Sequence, residues 1–473
     1  MYELTLCLDN KSGTPLYEQI YTYIKNEIKN GKIECKSRLP STRSLAEHLQ
    51  ISRSTVDMAY TQLLSEGYIE SVPCKGYYVC EISLLHDISI AQYETDGAEE
   101  EDGTDNLIDF TPYGVDLEYF PFNIWRKITK NVLNEENKDM FDIGNPMGDI
   151  VFRRTICNYL FEARNVHCRP EQILIGAGNH YLLTILCRLF NSEKTIAMES
   201  PTYQKAYHIF KTNNCPVVTV NVEKDGIDVK DVISKNADVV YVMPSHHYPL
   251  GTVMSIGKRT ELIKWANENE ERYIIEDDYD SEFRYHGKTI PALKGIQCNA
   301  NIIYIGTFSK SIAPAIRMSY MVLPEKLLER YKKNMHFYSQ TVSRIDQTVV
   351  NEFISRGYFE RHLNKMRSVY REKHDLIIAC LKDMGDMIQI SGENAGLHLL
   401  LNVNNKMSED KLIKSAKGQG VKVYGLSDNF IEGANADRQA IILGFAQINK
   451  NQITEGINLL KKAWFDVERK DEK

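Results

Sequence analysis

The segment Asn301-Ile-Ile-Tyr-Ile-Gly-Thr-Phe-Ser-Lys310-Ser-Ile-Ala-Pro-Ala-Ile-Arg317 says most about the architecture of this chain. A short apolar strand leads into a lysine flanked by hydroxyl groups, and an arginine follows seven residues later. The Lys310 amine can form a Schiff base with an aldehyde, while Thr307, Ser309 and Arg317 can bind a phosphate group. Together these residues suit pyridoxal phosphate, although a lone lysine beside a loop is more often a surface charge.

A second apolar strand ends in acidic residues, in Tyr273-Ile-Ile-Glu-Asp277-Asp278-Tyr279. Open α/β sheets bind their ligands at the carboxyl ends of their strands, which is where Asp277 falls. A carboxylate there can keep a pyridine nitrogen protonated, and the Tyr279 hydroxyl can reach the ring oxygen or the imine. The alternative is that Asp277 is a turn or helix-capping acid, since acids are common after strands.

A glycine turn, Gly176-Ala-Gly178-Asn179, separates an apolar strand from a helix-like pattern over residues 181–190. The free N–H groups at a helix N-terminus bind phosphate, although glycine turns of this kind also occur for packing alone. Further along the chain, Tyr203 follows a proline by two residues and can stack on an aromatic ring or simply pack in the core.

Six segments, taken in order, resemble those of the fold-type I aminotransferases, namely residues 144–148, 176–179, 199–205, 244–251, 277–285 and 307–317. Three stretches are similar to the MocR/GabR group of bacterial regulators, namely Asp277-Asp-Tyr-Asp-Ser-Glu-Phe-Arg-Tyr285, Pro244-Ser-His-His-Tyr-Pro-Leu-Gly251 and Ala395-Gly-Leu-His-Leu-Leu-Leu401. In that group a GntR-type winged helix precedes an aminotransferase-like domain. The resemblance covers nearly the whole chain. It implies an α/β fold with an N-terminal winged helix-turn-helix, a mixed and mostly parallel sheet with flanking helices, and a smaller C-terminal subdomain.

The resemblance also assigns expected roles to residues at matching positions. Lys310 would be the Schiff-base lysine, Asp277 the partner of the pyridine nitrogen, Tyr279 the partner of the ring oxygen and Tyr203 the stacking ring. The residues expected to hold the phosphate are Gly178, Asn179, Thr307, Ser309 and Arg317.

Four positions depart from the aminotransferase pattern. Ile143 stands where a tyrosine would reach the phosphate across a dimer, Ala177 replaces a phosphate-loop serine, and Tyr248 replaces an asparagine that bonds the ring oxygen. Ile442 stands where an arginine would clamp a substrate α-carboxylate. A buried guanidinium clamp is worth on the order of a few kcal/mol, so we expect inefficient transamination.

Two cations lie near enough in sequence to replace the missing clamp. Lys205 follows Tyr203 by two residues, and Arg438 precedes Ile442 by four. Both are candidates for binding a small-molecule effector, although each is more often expected to be a simple surface charge.

The segment before residue 81 has the pattern of a winged helix-turn-helix. Apolar residues recur at helical spacing between Pro15 and Lys29, and Ser41 and Ser52 are placed to cap two further helices. In such motifs the first residues of the third helix enter the major groove, and two short strands form a wing. Partly by resemblance to GntR proteins, we predict that DNA is contacted by Arg43, Arg53, Ser54, Thr55, Lys75 and Gly76. Either arginine by itself could equally be a solvated helix charge.

Composition agrees with a soluble protein of more than one domain. The chain has 473 residues, 43% of them hydrophobic, which supports a substantial core. No stretch is long and apolar enough to span a bilayer, and the first residues, with Glu3 and Asp9, lack a basic signal-peptide start, so we expect a cytoplasmic location without membrane contact. The ten cysteines contain no Cys-x-x-Cys pair, which favours reduced thiols over a disulfide framework or a metal site.

Charge and sequence complexity suggest three regions. Residues 1–80 would be the DNA-binding domain, and because they carry no overall basic excess, binding would depend on a local face. Residues 81–106 contain Glu99-Glu-Glu-Asp102 and are expected to form a flexible acidic linker. Residues 107–473 would be the aminotransferase-like domain, which in similar proteins also forms a homodimer.

The sequence therefore predicts a transcription regulator that binds pyridoxal phosphate and operator DNA. The effector would be pyridoxal phosphate itself or an amine or amino acid, and the homodimer could exchange its DNA-binding heads in a head-to-tail arrangement. One alternative is an active aminotransferase with an accessory DNA-binding domain. Another is a cofactor-free protein whose larger domain serves only for dimerisation.

Overall fold

The computed structural model describes residues 6, 8–9, 13–81, 107–285, 290–297, 300–431 and 440–466. The chain divides into two compact units, Met1–Gly103 and Thr104–Lys473, each with its own hydrophobic core. Nearly all of the predicted acidic linker and the effector candidate Arg438 lie outside the described residues. Within the part of the chain that is described, no helix is long and apolar enough to cross a membrane.

The first unit is a three-helix bundle with a small hairpin. Its helices are α1 (Leu16–Lys29), α2 (Thr42–Leu49) and α3 (Arg53–Ser65), and its strands β1 (Ile69–Val72) and β2 (Gly76–Val79) pair antiparallel. Fifteen buried apolar side chains form one core between these elements. This is the arrangement of a winged helix-turn-helix, as the sequence predicts.

Hydroxyl side chains set where the second and third helices begin. The Ser41 side chain accepts a hydrogen bond from the backbone N–H of Ser44, and the Ser52 side chain accepts one from that of Thr55. Between them, Gln50 adopts a left-handed conformation, with φ of 53°, which ends α2 and turns the chain into α3. Local capping chemistry therefore fixes the turn between the two helices.

The second unit is a sheet with helices on both faces and a smaller sheet near its C-terminus. Its helices are α4 (Phe122–Val132), α5 (Ile150–Arg164), α6 (Asn179–Leu189), α7 (Gln204–Thr212), α8 (Val229–Ser234), α9 (Ile256–Asn267), α10 (Leu293–Ile296), α11 (Glu325–Asn334), α12 (Arg344–Ser355), α13 (Tyr358–Lys382), α14 (Glu409–Gly418) and α15 (Lys450–Lys461). Its strands are β3 (Ile108–Asp109), β4 (Ile173–Gly176), β5 (Ile196–Glu199), β6 (Val217–Val220), β7 (Val222–Glu223), β8 (Gly226–Ile227), β9 (Val239–Val242), β10 (Tyr273–Asp278), β11 (Ile302–Thr307), β12 (Ser319–Val322), β13 (Ile388–Ser391), β14 (His398–Val403), β15 (Val421–Lys422), β16 (Tyr424–Gly425) and β17 (Ala440–Gly444).

The large sheet has seven strands in the order β4-β12-β11-β10-β9-β5-β6. Strand β12 runs antiparallel to both of its neighbours, and the remaining pairs are parallel. The prediction of a mixed, mostly parallel sheet is therefore confirmed. The parallel strands end at one edge of the sheet, which is where α/β folds build their ligand sites.

Both faces of this sheet are covered, which explains why its strands begin or continue as mostly apolar runs rather than alternating between apolar and polar residues. Ile275 and Ile303 pack on the side of α6, α7 and α11, while Ile274 and Ile302 pack with α8 and α9. The period of two along a strand sends successive side chains to opposite layers.

A second sheet, in the order β13-β14-β17-β16, lies with α13, α14 and α15 in the C-terminal subdomain. Strand β14 begins only at His398, because Gly396 before it has a φ of 79° and Ala395 forms an isolated bridge with Arg284. Helix α12 begins directly after Ser343, whose side chain caps it.

Candidate cofactor site and nucleic-acid interface

A cleft of about 700 Å³ opens at the carboxyl ends of β9, β10 and β11. It gathers eight of the nine residues that the sequence predicts for cofactor binding, from segments more than a hundred residues apart. The cleft is lined by Pro112, Tyr113, Asn179, His180, Tyr203, Met243, Tyr248, Asp277, Tyr279, Thr307, Ser309, Lys310 and Arg317.

Lys310 presents its amine at the centre of this lining. Its Nζ donates hydrogen bonds to the carbonyl oxygens of Pro112, at 2.8 Å, and Gly114, at 3.4 Å. Burial lowers the pKa of Lys310 to about 8, and nearby Asp280 opposes that shift. A larger neutral fraction makes the amine a better nucleophile towards an aldehyde near neutral pH.

Asp277 is buried in the lining of the cleft, and its Oδ2 accepts two hydrogen bonds. Asn179 Nδ2 donates to it at 2.7 Å, and the Tyr241 hydroxyl donates a second hydrogen bond. Burial raises the pKa of Asp277 to about 6, although both donors act to lower it. A buried carboxylate without a cationic partner is suited to a protonated ring nitrogen.

We expect the Asp277→Asn variant, without cofactor, to be more stable than the wild type at about pH 7, by roughly 2–3 kcal/mol. Folding raises the pKa of this carboxyl from 3.8 to about 6, so its ionised form disfavours the folded state above that value. The cost fades as the pH falls through 6 and is absent below about 4, where the carboxyl is protonated in both states. Urea unfolding at several pH values, followed by tryptophan fluorescence, tests this; a stability difference that does not change with pH contradicts it.

The start of α6 and the Arg317 guanidinium form a cradle for an anion in the same cleft. Gly178 has a φ of 90° and precedes the first turn of α6, and a Cβ at this position would lie 2.4 Å from Arg317 Nη2. Only glycine lets the guanidinium lie this close to the turn. Thr307 and Ser309 add hydroxyl groups, and the free N–H groups of the helix N-terminus favour a phosphate.

The site fits pyridoxal phosphate. Lys310 supplies an amine and Asp277 supplies a buried carboxylate. The Thr307 and Ser309 hydroxyl groups, the Arg317 guanidinium and the N–H groups at the start of α6 supply donors for a phosphate. Asn179 lines the cleft, and its Oδ1 is buried without a hydrogen-bond partner, which marks a position where a ligand or water can bind. When bound, the cofactor would supply an aldehyde carbon for Lys310 and a ring that withdraws electrons.

The two arginines predicted to contact DNA from α2 and α3 are exposed. Arg43 Nε lies 3.1 Å from Glu47 Oε1, and Arg53 Nε lies 3.5 Å from Asp57 Oδ2, each pair one helical turn apart. Such exposed pairs are weak, at about 0.3–0.5 kcal/mol, so either guanidinium can exchange its carboxylate for a phosphate or a base.

The remaining candidates lie at the start of α3 and on the wing. Ser54 is exposed and its hydroxyl lies 2.9 Å from Ser52 Oγ, while the Thr55 hydroxyl lies 2.7 Å from the same atom. Lys75 is exposed at the turn between β1 and β2. Gly76 has a φ of 108°, and a Cβ there would lie 3.3 Å from Arg38 Nε. Sequence reasoning missed Arg38, an exposed cation beside the wing.

Comparison with known proteins places both parts of the chain. Residues 16–79 match the family Bacterial regulatory proteins, gntR family, and residues 116–428 match the family Aminotransferase class I and II. The HTH-type transcriptional regulator YdeL of Bacillus subtilis (strain 168) is 40% identical over 98% of this chain and 99% of its own. The probable rhizopine catabolism regulatory protein MocR of Rhizobium meliloti is 32% identical over 98% of this chain and 96% of its own. The chain belongs to this family of MocR-like transcriptional regulators.

The second unit of this MocR-like regulator shares its fold with aminotransferases. LysN, the alpha-aminoadipate aminotransferase of Thermus thermophilus, crystallised with N-(5'-phosphopyridoxyl)-L-leucine, aligns with a TM-score of 0.67 at 21% identity. The match covers 77% of this chain and 94% of that one. The likeness defines the fold.

The positions that depart from the aminotransferase pattern have different surroundings in this MocR-like regulator. Ile442 is fully buried in β17 among Leu400, Leu426 and Ala440. Ile143 is 93% exposed, and the backbone N–H of Ala177 donates to the Thr341 hydroxyl at 3.1 Å. The absent arginine is therefore replaced by a packed apolar cluster.

Three aromatic side chains that were not predicted as part of the site, those of Tyr113, His180 and Tyr248, also line the cleft. The Tyr248 hydroxyl donates to that of Tyr113 at 3.1 Å, and His180 Nε2 lies 3.3 Å from the Tyr203 hydroxyl. Tyr248 was noted only as a departure, and nothing in the sequence around Tyr113 points to a ligand. His180 directly follows the predicted phosphate-binding residues Gly178 and Asn179, and this position could have indicated it.

The effector candidate Lys205 is exposed, and its Nζ lies 5.3 Å from the centre of the Tyr113 ring. Since Tyr113 lines the cleft, this cation belongs to its surroundings. The exposed Lys205 cation and the Tyr113 ring beside it favour an anionic or carboxylate-bearing ligand in this part of the cleft.

Proposed function

We propose that this MocR-like transcription regulator binds pyridoxal phosphate through Lys310 and changes its operator binding when the cleft is occupied. The observation that carries the proposal is the convergence of Lys310, Asp277 and Arg317 on one cleft, at the places where an aldehyde, a ring nitrogen and a phosphate would lie. Asp277 lies in β10, while Lys310 and Arg317 lie in the connection between β11 and β12, and each group suits a different part of the same molecule.

Sensing requires a difference in affinity between two states of the protein. A ligand shifts operator binding only if it binds one arrangement of the DNA-binding heads better than another. Two signals fit the cleft: pyridoxal phosphate itself, and an amine or amino acid that reacts with the cofactor and frees Lys310. Lys205 and Arg438 are the cations that we propose for a carboxylate on the second kind of signal.

A footprint on the DNA upstream of the protein's own gene, with and without pyridoxal phosphate and with candidate amines, tests this function. We expect protection of a repeated or palindromic element whose extent or affinity changes with the ligand. A footprint that no ligand alters would contradict the sensing role, and the absence of any footprint on this region would contradict the proposed operator.

We expect Arg53→Ala to weaken binding to that operator by about tenfold or more at fixed salt, because a guanidinium at the start of the recognition helix reads bases or holds a phosphate. Fluorescence anisotropy with a labelled operator duplex measures the change. Arg356→Ala is the matched control, since Arg356, like Arg53, pairs with a carboxylate one helical turn away but lies in the second unit. An Arg53 variant that binds as well as the Arg356 variant would contradict this role.

A homodimer in the cytoplasm is part of the proposal. Large apolar side chains remain exposed on the second unit, among them Phe141 at 72% and Phe337 at 70%. We propose that these residues and Ile143 are covered by a second copy, as the apolar surfaces that mark protein contacts are. Sedimentation equilibrium would distinguish a dimer from a monomer, and cross-linking between the units of different copies would reveal exchanged heads.

An active aminotransferase is the second candidate, because Lys310 and Asp277 retain the groups that such catalysis needs. The buried apolar surroundings of Ile442 weigh against it, since they offer no guanidinium for an α-carboxylate. Sustained multiple turnovers with amino donors and oxoacid acceptors would favour the enzyme over the sensor.

A further inference from the structure

His246 takes no part in the function described so far, yet it contacts Tyr279, which lines the cleft. It is 2% exposed and follows β9 in the segment Pro244-Ser-His-His-Tyr-Pro. Its Nδ1 lies 2.8 Å from Asp280 Oδ2 and 3.0 Å from the hydroxyl oxygen of Tyr279, whose side chain lines the cleft. One nitrogen atom therefore meets two partners.

The protonation of this nitrogen determines what the Tyr279 hydroxyl can do. A carboxylate only accepts hydrogen bonds, so a 2.8 Å contact with Asp280 requires the proton to be on His246 Nδ1. A protonated Nδ1 cannot accept a hydrogen bond from Tyr279. The hydroxyl must then donate its proton elsewhere, and the cleft is the space that its side chain lines.

The His246 ring has little freedom to turn away from these partners. A Cβ on Gly396 would lie 1.8 Å from His246 Cε1, so the glycine backbone packs against the ring edge. A Cβ on Gly251 would lie 3.5 Å from Nε2, on another side. His246 Nε2 itself is buried without a hydrogen-bond partner, which suits a lone pair better than an N–H group.

The neighbouring His398 is neutral and adds no charged group that would compete with these contacts. His398 stacks obliquely on His246 with ring centres 4.8 Å apart, and its Nε2 lies 3.1 Å from the carbonyl oxygen of Pro249. Since the carbonyl only accepts, His398 donates from this nitrogen. Burial and the closeness of His246 hold the pKa of His398 well below its usual value, so it stays neutral.

We propose that His246 is a positioning residue that acts through Tyr279: held by Asp280 with its proton on Nδ1, it directs the Tyr279 hydroxyl to donate into the cleft, where the ring oxygen of the cofactor would lie. The inference rests on the proposed binding of pyridoxal phosphate. In this arrangement two consecutive contacts, Asp280 to His246 and His246 to Tyr279, determine where the Tyr279 hydroxyl proton points.

Amide substitutions test the tautomer. Asparagine at position 246 can place an N–H donor where Nδ1 lies, whereas glutamine places it where Nε2 lies. We expect His246→Gln to raise the dissociation constant for pyridoxal phosphate by about tenfold or more and to shift the visible absorption band of the bound cofactor, while His246→Asn stays within about threefold of the wild type. Spectrophotometric titration of the full-length protein measures both quantities.

A double-mutant cycle separates positioning from mere packing. If His246 acts through Tyr279, then His246→Gln should add little to the loss already caused by Tyr279→Phe. Full additivity of the two losses, or an asparagine variant as weak as the glutamine variant, would overturn the proposal. A wild-type protein that shows no band with the cofactor would instead overturn the proposed function.

Asp280→Asn provides an independent route should the glutamine variant unfold. Its amide can donate to His246 Nδ1 and so drive the proton to Nε2, which turns Nδ1 into an acceptor that competes for the Tyr279 hydroxyl. We expect the same loss of affinity and the same dependence on Tyr279 as for His246→Gln. An Asp280→Asn variant with unchanged affinity for the cofactor and an unchanged absorption band would contradict the proposal that Asp280 acts on Tyr279 through His246.

Discussion

Lys310→Ala should abolish the visible absorption band that forms when the wild-type protein is incubated with pyridoxal phosphate and freed of excess ligand. Lys310 is the amine in the lining of the cleft, and its lowered pKa favours reaction with an aldehyde. Borohydride reduction of the wild-type complex followed by peptide mass spectrometry should place the pyridoxyl group on Lys310. The variant should carry no such modification at any lysine.

Lys205→Ala is the matched control for this experiment, because it removes an exposed lysine near the same cleft. Its absorption band should remain. The Lys310 variant loses two hydrogen bonds to the carbonyl oxygens of Pro112 and Gly114 and the charge interaction with Asp280, but it also removes the cost of burying an amine, so its urea unfolding should resemble that of the wild type. A band that survives in Lys310→Ala would exclude this lysine as the attachment point, and a wild type without a band would favour the cofactor-free scaffold.

Arg164→Met should lower the free energy of unfolding of the second unit by about 3–5 kcal/mol. The Arg164 guanidinium is buried and donates to Asp278 Oδ2 at 2.8 Å, to the Ile290 carbonyl at 2.6 Å and to the Ser245 hydroxyl at 2.6 Å. Methionine fills similar space but leaves the Asp278 carboxylate buried without its cation. The Tyr304 hydroxyl, which donates to the same oxygen, offsets only part of this loss.

Urea unfolding followed by tryptophan fluorescence measures this effect for the second unit alone, since all three tryptophans lie there. Arg169→Met is the matched control, because Arg169 pairs with Glu325 at the surface and should contribute no more than about 1 kcal/mol. Equal losses in the two variants would mean that burial adds nothing to the Arg164 pair.

Local sequence patterns predicted much of the fold, because the burial of a strand and the start of a helix depend largely on the residues of that segment. The apolar runs that became β10 and β11 are covered on both faces, and the serines at 41 and 52 begin their helices as capping chemistry requires. The same applies to the cofactor residues around Lys310, which lie within one strand and the turn after it.

Contacts between distant segments could not be predicted from such patterns. The carbonyl oxygens that accept from Lys310 belong to residues almost two hundred positions away, and no property of Pro112 indicates this. His246 depends likewise on the backbone of Gly396, which enters from another part of the chain. Pro112 contributes only a backbone carbonyl group, so its residue type carries no signal. Position 396 must be a glycine to fit against His246, but the sequence around it does not indicate which distant residue it contacts.

The burial of Ile442 limits how this chain could be redesigned as a catalyst. Its side chain is enclosed by Leu400, Leu426 and Ala440, so a guanidinium introduced there would lose its hydration before meeting any substrate. Grafting an arginine at this single position would therefore damage folding before it could create turnover. Several coordinated replacements, which open a hydrated path around β17, would have to come first.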